Sequence, residues 1–324
     1  MGARGGHGHH PHHHGHVHGA LHHGPAQGTP RRRHRRRLAA ALALGAVVLV
    51  AEVVAGFVAN SLALLSDAAH YFADVSSIGL ALWAVSLALR PATRAKSYGW
   101  YRAEVVAAFV NSITLWLLAA FFVYEGVRRF QRPEEVDATI VIVVGAATFA
   151  VNLLQASFLR SGAHENINMR AAYMHVLSDA GGSLAVTASG IVVATTGYLR
   201  ADPLFTFLIV GLIVVWAFRL SRETLHILLE GTPSHIDVDD LRTAICTVEG
   251  VAEVHDLHVW ALTTGVDCLS AHLVPSRADQ DAFAMRQAVR AVLDERFGIR
   301  HVTLEVEAPG GECGDAAAAG HSHD

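Results

Sequence analysis

Six apolar runs, near residues 38–59, 62–89, 103–127, 138–159, 171–196 and 203–221, constrain this chain more than any other feature. Each approaches or exceeds the ~20 residues that carry a helix across a bilayer. The 324-residue chain is 52% hydrophobic, which leaves room for several spans. The first run follows a block of arginines, as a secretory signal would. At about 22 residues it is longer than the apolar part of such a signal, and no clear small-residue cleavage site stands out. It reads as the first of six spans.

Basic residues set the orientation. With the N-terminus inside, the inner segments hold Arg31–Arg37, Arg90, Arg94, Lys96, Arg102, Arg160, Arg170, Arg219 and Arg222. The outer ones hold Arg128, Arg129, Arg132 and Arg200, of which the first three run against the trend. The balance predicts a multi-pass protein of the cell (inner) membrane with both termini in the cytosol. Four segments result: a Gly/His/Pro-rich and then Arg-rich tail over 1–37, a six-helix membrane domain over 38–230, a soluble domain over 231–308, and a Gly/Ala-rich tail over 309–324. Both tails lack the apolar residues needed for a core and read as disordered.

The soluble domain reads as α-β-β-α-β. Asp237 can cap a helix to about Thr247. Val251–Thr263 and Val266–Pro275 are β-branched and apolar, with Thr264-Gly265 as the turn. Helical periodicity covers Gln280–Phe297, and His301–Glu307 alternates as a last strand. That order predicts a small two-layer, ferredoxin-like α+β domain.

Within the apolar runs, one pattern occurs twice. His70 precedes Asp74 by four residues, and His175 precedes Asp179 by four. On a helix, i and i+4 share a face. Two such helices facing each other offer two imidazole nitrogens and two carboxylate oxygens, a set suited to tetrahedral Zn²⁺ or a close relative. An Asp at the centre of a span costs about 2.5–3.5 kcal/mol to insert. Two of them at matched spacing predict a metal site. These ligands also bind protons, because metal binding needs them deprotonated. Protons can therefore displace the metal, which predicts antiport of metal out against protons in. Asp67, one turn before His70, is a candidate outer ligand or proton relay. Glu52, Asn60, Asn111 and Asn152 are weaker polar candidates in the spans, with packing hydrogen bonds as the alternative role.

Further stretches make the chain resemble the cation diffusion facilitator family, its zinc-exporting branch in particular. They are Asn60-Ser-Leu-Ala-Leu-Leu-Ser-Asp-Ala-Ala-His70, Tyr98-Gly-Trp-Tyr-Arg-Ala-Glu104, Glu230-Gly-Thr-Pro233, His255-Asp-Leu-His-Val-Trp-Ala-Leu262 and Ser270-Ala-His272. The resemblance implies a homodimer working by alternating access, with His70, Asp74, His175 and Asp179 as transport ligands. It implies Zn²⁺ as substrate, with Cd²⁺ and Co²⁺ as further substrates. It also implies regulatory zinc in the soluble domain, at His255 and His272, with His235 and Glu305 as weaker matches. A regular strand turns His255 and His258 to opposite faces, which favours His255 with His272, one from each hairpin strand. Histidines held only by hydrogen bonds are the alternative.

The first segment carries His7, His9, His10, His12, His13, His14, His16 and His18 among glycines and prolines. Such a segment can collect Zn²⁺, Ni²⁺ or Cu²⁺ loosely. The arginine block suits anionic lipid better than nucleic acid, so metal ions, protons, lipid and a second copy are the expected partners. Two rival classes stay open. A membrane metalloenzyme needs an open metal position and a base, and no His-Glu-x-x-His motif is present. A membrane-anchored metal buffer explains the tail but not the paired motifs.

Overall fold

A computed structural model of the chain describes residues 45–88, 90–160 and 167–308. The histidine-rich and arginine-rich segment and the tail from 309 onward lie outside them. Six long or apolar helices come first: α1 Gly45–Val58, α2 Leu62–Ala88, α3 Arg102–Gln131, α4 Ala138–Arg160, α5 Ile167–Thr196 and α6 Ala201–Leu228. Four of these, α3 to α6, are long and apolar enough to cross a membrane by length and composition. Helix α2 has 27 residues, about 40 Å at 1.5 Å per residue, but its apolar run is broken by Asp67, His70 and Asp74. Helices α3 and α6 run beyond the apolar stretches read from sequence, to Gln131 and Leu228. The reason is physical: hydropathy marks the part of a helix that suits hydrocarbon, and charged residues continue the same helix past it.

The chain divides into two compact units, Met1–Phe72 with Ala120–Leu212, and Ala73–Ala119 with Ile213–Asp324. In the first unit, α4 and α5 are tied by small residues. A Cβ on Gly145 would fall 2.8 Å from Thr187 Oγ1, and one on Gly190 2.8 Å from Ile142 Cγ1. Close backbone approach of this kind is how helices associate where no hydrophobic force acts between them. The N-terminus of α2 is held from α6. Asp202, 1% exposed, accepts from Ser61 Oγ at 2.6 Å, Leu62 N at 2.7 Å and Ala63 N at 3.3 Å. The carboxylate thus serves as an N-cap supplied by another helix and meets the positive end of the α2 dipole.

The turn between α1 and α2 is braced by the basic residues that ran against the orientation trend. Asn60 takes a left-handed φ of 51°, and Arg129 Nη1 donates to its carbonyl at 2.7 Å. Arg128 and Arg129 reach Glu125 at 2.6 and 3.1 Å, and Arg128 also reaches Glu134 at 3.0 Å. Arg128 and Arg129 are matched by these local carboxylates and build a joint.

In the second unit, α7 Val238–Cys246, β1 Val251–Thr263, β2 Val266–Pro275, α8 Ala282–Phe297 and β3 His301–Val306 form an α-β-β-α-β domain. The sheet order is β1-β2-β3, with β1 and β2 antiparallel and β2 and β3 parallel. This is the split βαβ pattern without its leading strand. Asp237 and Asp281 cap α7 and α8 by accepting from the second and third N–H groups beyond them. Asp281 is why α8 starts at Ala282 and not at Gln280. Leu241, Ile245, Leu269, Leu273, Val289 and Leu293 are each 1% exposed or less and fill the space between the helices and one sheet face. Alternation puts Ser270, His272 and Val274 on the other face. The start of α3 meets this domain: Arg102 pairs with Glu230 at 2.8 Å, and Thr263 Oγ1 donates to Glu104 at 3.0 Å.

Replacing Asp202 by Ala strands three buried donors at the head of α2, at about 1–3 kcal/mol for the worst of them. Asp202→Ala is expected to lower the unfolding temperature in detergent clearly more than Asp202→Asn, which keeps one acceptor oxygen in place. Equal melting of both variants and the parent would remove Asp202 as the α2 cap.

Candidate metal centre

Three of the four ligands expected in the membrane domain fall in the first unit. His70 comes from α2, and His175 and Asp179 from α5. His70 Nε2 lies 3.2 Å from Asp179 Oδ1. A tetrahedral ion with bonds of about 2.0 Å sets its ligand atoms about 3.3 Å apart, so this pair already has the spacing of one tetrahedral edge. His175 Nε2 is 3.9 Å from Asp179 Oδ2, and its ring centroid is 6.3 Å from that of His70. It stands outside the His70–Asp179 edge and has to move inward to complete the set. Its side chain is 45% exposed against 16% for His70 and 9% for Asp179, so it is the most accessible of the three. Asp74 follows His70 by one turn of the same α2.

A polar network supports the centre from behind. Tyr71 Oη donates to Asn152 Oδ1 at 2.7 Å, and Asn152 Nδ2 donates to Ser183 Oγ at 3.3 Å. Ser183 Oγ lies 3.1 Å from both Asp67 Oδ2 and the carbonyl of Asp179. Asn152 on α4 is thus a bridge from α2 to α5, a packing role of the kind its sequence position allowed. Asp67 touches the frame of the centre through Ser183.

The C-terminal domain holds a second cluster. His255 and His272 are direct cross-strand partners, with ring centroids 5.4 Å apart. Glu307 joins them: Oε2 is 3.2 Å from His255 Nε2 and Oε1 is 2.8 Å from His272 Nδ1. All three offer ligand atoms within 4.8 Å of one another. Glu305, the carboxylate expected from sequence, is 69% exposed and stands 3.7 Å from His272. Residues 305 and 307 share a face by strand alternation, and the later one closes the cluster. His235 is elsewhere, 2.9 Å from Asp267 at the start of β2. Burial pushes the Asp267 carboxyl up, and the neighbouring His235 pulls it part of the way back. Burial also pushes the Cys268 thiol up.

Strand geometry needs one correction. His255 pairs with His272 and His258 with Ser270, so three steps on β1 match two on β2. A bulge lies between them, at Asp256 with φ 47°. The extra residue returns His258 to the face of His255, where a regular strand would oppose them. Asp256 then bridges the two strands, 2.8 Å from His258 and 3.6 Å from His272.

Comparison with known proteins agrees with this architecture. Residues 38–229 match the cation efflux transmembrane domain, and residues 233–309 match the cation efflux protein cytoplasmic domain. The chain is 34% identical over 281 residues to the cadmium, cobalt and zinc/H(+)-K(+) antiporter of Bacillus velezensis, covering 85% of this chain and 86% of that one. It is 36% identical over 269 residues to the metal cation efflux system protein CzcD of Cupriavidus metallidurans, covering 83% and 85%. It is 34% identical over 282 residues to the zinc transporter ZitB of Escherichia coli, covering 85% and 89%. Two domain matches in series along nearly the whole described chain leave one assignment: the chain belongs to the cation diffusion facilitator, or cation efflux, family of membrane transporters.

Proposed function

We propose that the chain exports Zn²⁺ from the cytosol in exchange for protons, with Cd²⁺ and Co²⁺ as further substrates, as a homodimer in the cell (inner) membrane with both termini cytosolic. The observation that carries this reading is the 3.2 Å approach of His70 on α2 to Asp179 on α5. His70, Asp74, His175 and Asp179 are the transport ligands. Two nitrogens and two oxygens, with the His70–Asp179 edge already at tetrahedral spacing, suit Zn²⁺ better than a hard cation that prefers six or more oxygens.

Coupling follows from ligand chemistry. Imidazole and carboxylate must shed protons to hold the metal, so binding releases protons and protonation releases metal. Alternating access lets the first step occur facing one side and the second facing the other. His175, exposed and 3.9 Å from Asp179, is the ligand whose swing opens and closes the set. The division into a tail over 1–37, a membrane domain over 38–230, a cytosolic domain over 231–308 and a tail over 309–324 follows, with the histidines of the first segment as a cytosolic collector.

His255, His272 and Glu307 hold a regulatory zinc in the cytosolic domain. Two imidazoles and the Glu307 carboxylate, whose two oxygens lie 3.2 Å from His255 and 2.8 Å from His272, can supply three corners of a tetrahedron. Such a clip joins β1 to β2 and to the chain just past β3.

In proteoliposomes, Zn²⁺ uptake is expected to rise with an acid interior and to collapse with a protonophore; uptake indifferent to the gradient, with no counterflow of protons, contradicts the reading. Asp179→Ala removes one of four ligands and is expected to cut zinc flux at least about 100-fold while the protein keeps its melting behaviour. For the cytosolic cluster, zinc titration of the full chain in an Asp179→Ala background separates the two carboxylates. Glu307→Ala should weaken the remaining site about 10–100-fold, and Glu305→Ala should have a smaller effect. The reverse ranking restores Glu305 as the ligand.

A further inference from the structure

A buried pair of carboxylates lies behind the metal centre with too few donors to satisfy it. Glu52 on α1 is 0% exposed and Asp67 on α2 is 1% exposed. Among the described residues, both Glu52 oxygens and Asp67 Oδ1 have no hydrogen-bond partner. The two side chains are neighbours, with the Thr148 hydroxyl of α4 also close to Glu52. The donors nearby run one way. Tyr71 donates to Asn152, Asn152 to Ser183, and the one O–H of Ser183 lies 3.1 Å from both Asp67 Oδ2 and the Asp179 carbonyl. That chain reaches Asp67 at Oδ2, and among the described residues no donor reaches Oδ1. On α5, Gly182 leaves the room: a Cβ there would fall 2.6 Å from Asp67 Oδ1.

Two ionised carboxylates in one dry site repel and are poorly solvated. A single proton removes both faults. Carried by Glu52, it makes that residue a donor, and the vacant oxygen of Asp67 is the acceptor beside it. A metal cation fits less well. Two carboxylates and two hydroxyls fall short of the six or more oxygens that hard cations take, and Ser183, with its one O–H, would have to turn away from Asp67. Among the described residues, the other ionisable groups around the pair include His70 and Tyr71 on α2 and Asp179 on α5. From α4 the nearby side chains are the neutral Thr148 and Asn152.

We propose that Glu52 and Asp67 form a proton-binding site of the transporter, separate from the metal ligands, and that its proton is one of those exchanged for metal. The inference rests on the proton-coupled reading above and adds a carrier to it. In the exchange step the Glu52 O–H bond breaks, the electron pair stays on the Glu52 oxygen, and the proton forms an O–H bond on Asp67 Oδ1. The proton then leaves Asp67 for water, forming hydronium on one side of the membrane, and hydronium from the other side re-protonates Glu52 and is left as water. Asp67 acts one helical turn from His70, and Glu52 acts through Asp67.

The test uses the full chain. Glu52→Gln keeps the shape and a donor but holds no exchangeable acid. In proteoliposomes carrying a zinc dye and a pH dye, Glu52→Gln is expected to bind zinc in detergent with the parent stoichiometry and to move one proton fewer per zinc. An unchanged proton-to-zinc ratio overturns the proposal. So does loss of a bound metal ion in Glu52→Gln, which makes the pair a metal site. A second readout does not depend on transport or on the variant folding. Infrared spectra of the parent at neutral pH should contain a deuterium-sensitive carboxylic-acid C=O band, and its absence overturns the proposal. Where the variants fold, that band should be missing in Glu52→Gln and altered in Asp67→Asn. A parent that moves zinc without protons defeats the coupled reading itself, and the infrared band then still decides whether the pair holds a proton.

Discussion

Carboxylates and imidazoles inside an apolar layer need partners within that layer, because no bulk water is there to solvate them. Much of this molecule follows from that demand. Asp202 finds the head of α2, Asp179 finds His70, and Asp67 finds Ser183. Each pairing ties one helix to another, so the polar groups that cost most to insert are also the ones that set how α2 stands against α5 and α6. Small residues then let α4 and α5 close up, with Gly145 and Gly190 at the contact. A site built this way is pre-formed on its His70–Asp179 edge and unfinished on its His175 side, which suits binding followed by release better than permanent retention.

The C-terminal domain meets a different constraint. It has an apolar core under one sheet face and therefore can spend polar residues freely on the other. His255, His272 and Glu307 gather there on three successive chain segments, and Asp256 bends into the group through the bulge. Contacts at Arg102–Glu230 and Glu104–Thr263 join the head of α3 to the same unit.

Much of this was legible in the residues. Apolar runs located the six helices, and turn chemistry placed the β1–β2 hairpin at Thr264-Gly265 because period-two alternation leaves little freedom there. Spacing of four put His70 with Asp74 and His175 with Asp179 on shared faces. Other features depended on partners distant in sequence. Asp202 as a cap for α2 needs a residue about 140 positions away, and helical periodicity carries no sign of it. Glu305 is the carboxylate that the resemblance points to, and Glu307, two residues on along the same face, is the one that packs between His255 and His272; only packing tells which carboxylate turns inward. The bulge at Asp256 inverted the expected relation of His255 and His258, because an extra residue in a strand leaves no fixed mark on composition. Glu52 was one polar residue among several in the spans, and its bare environment became visible only with α2 and α4 around it.

The central claim is that two imidazoles and two carboxylates, from His70, Asp74, His175 and Asp179, hold the transported ion. Zinc-edge X-ray absorption on the full chain carrying His255→Ala and His272→Ala, loaded with one zinc, tests it most directly. The account predicts four light ligands at about 2.0 Å with the multiple-scattering signature of two imidazoles. A sulfur ligand, a shell of six oxygens, or a spectrum unchanged by Asp179→Ala would contradict it.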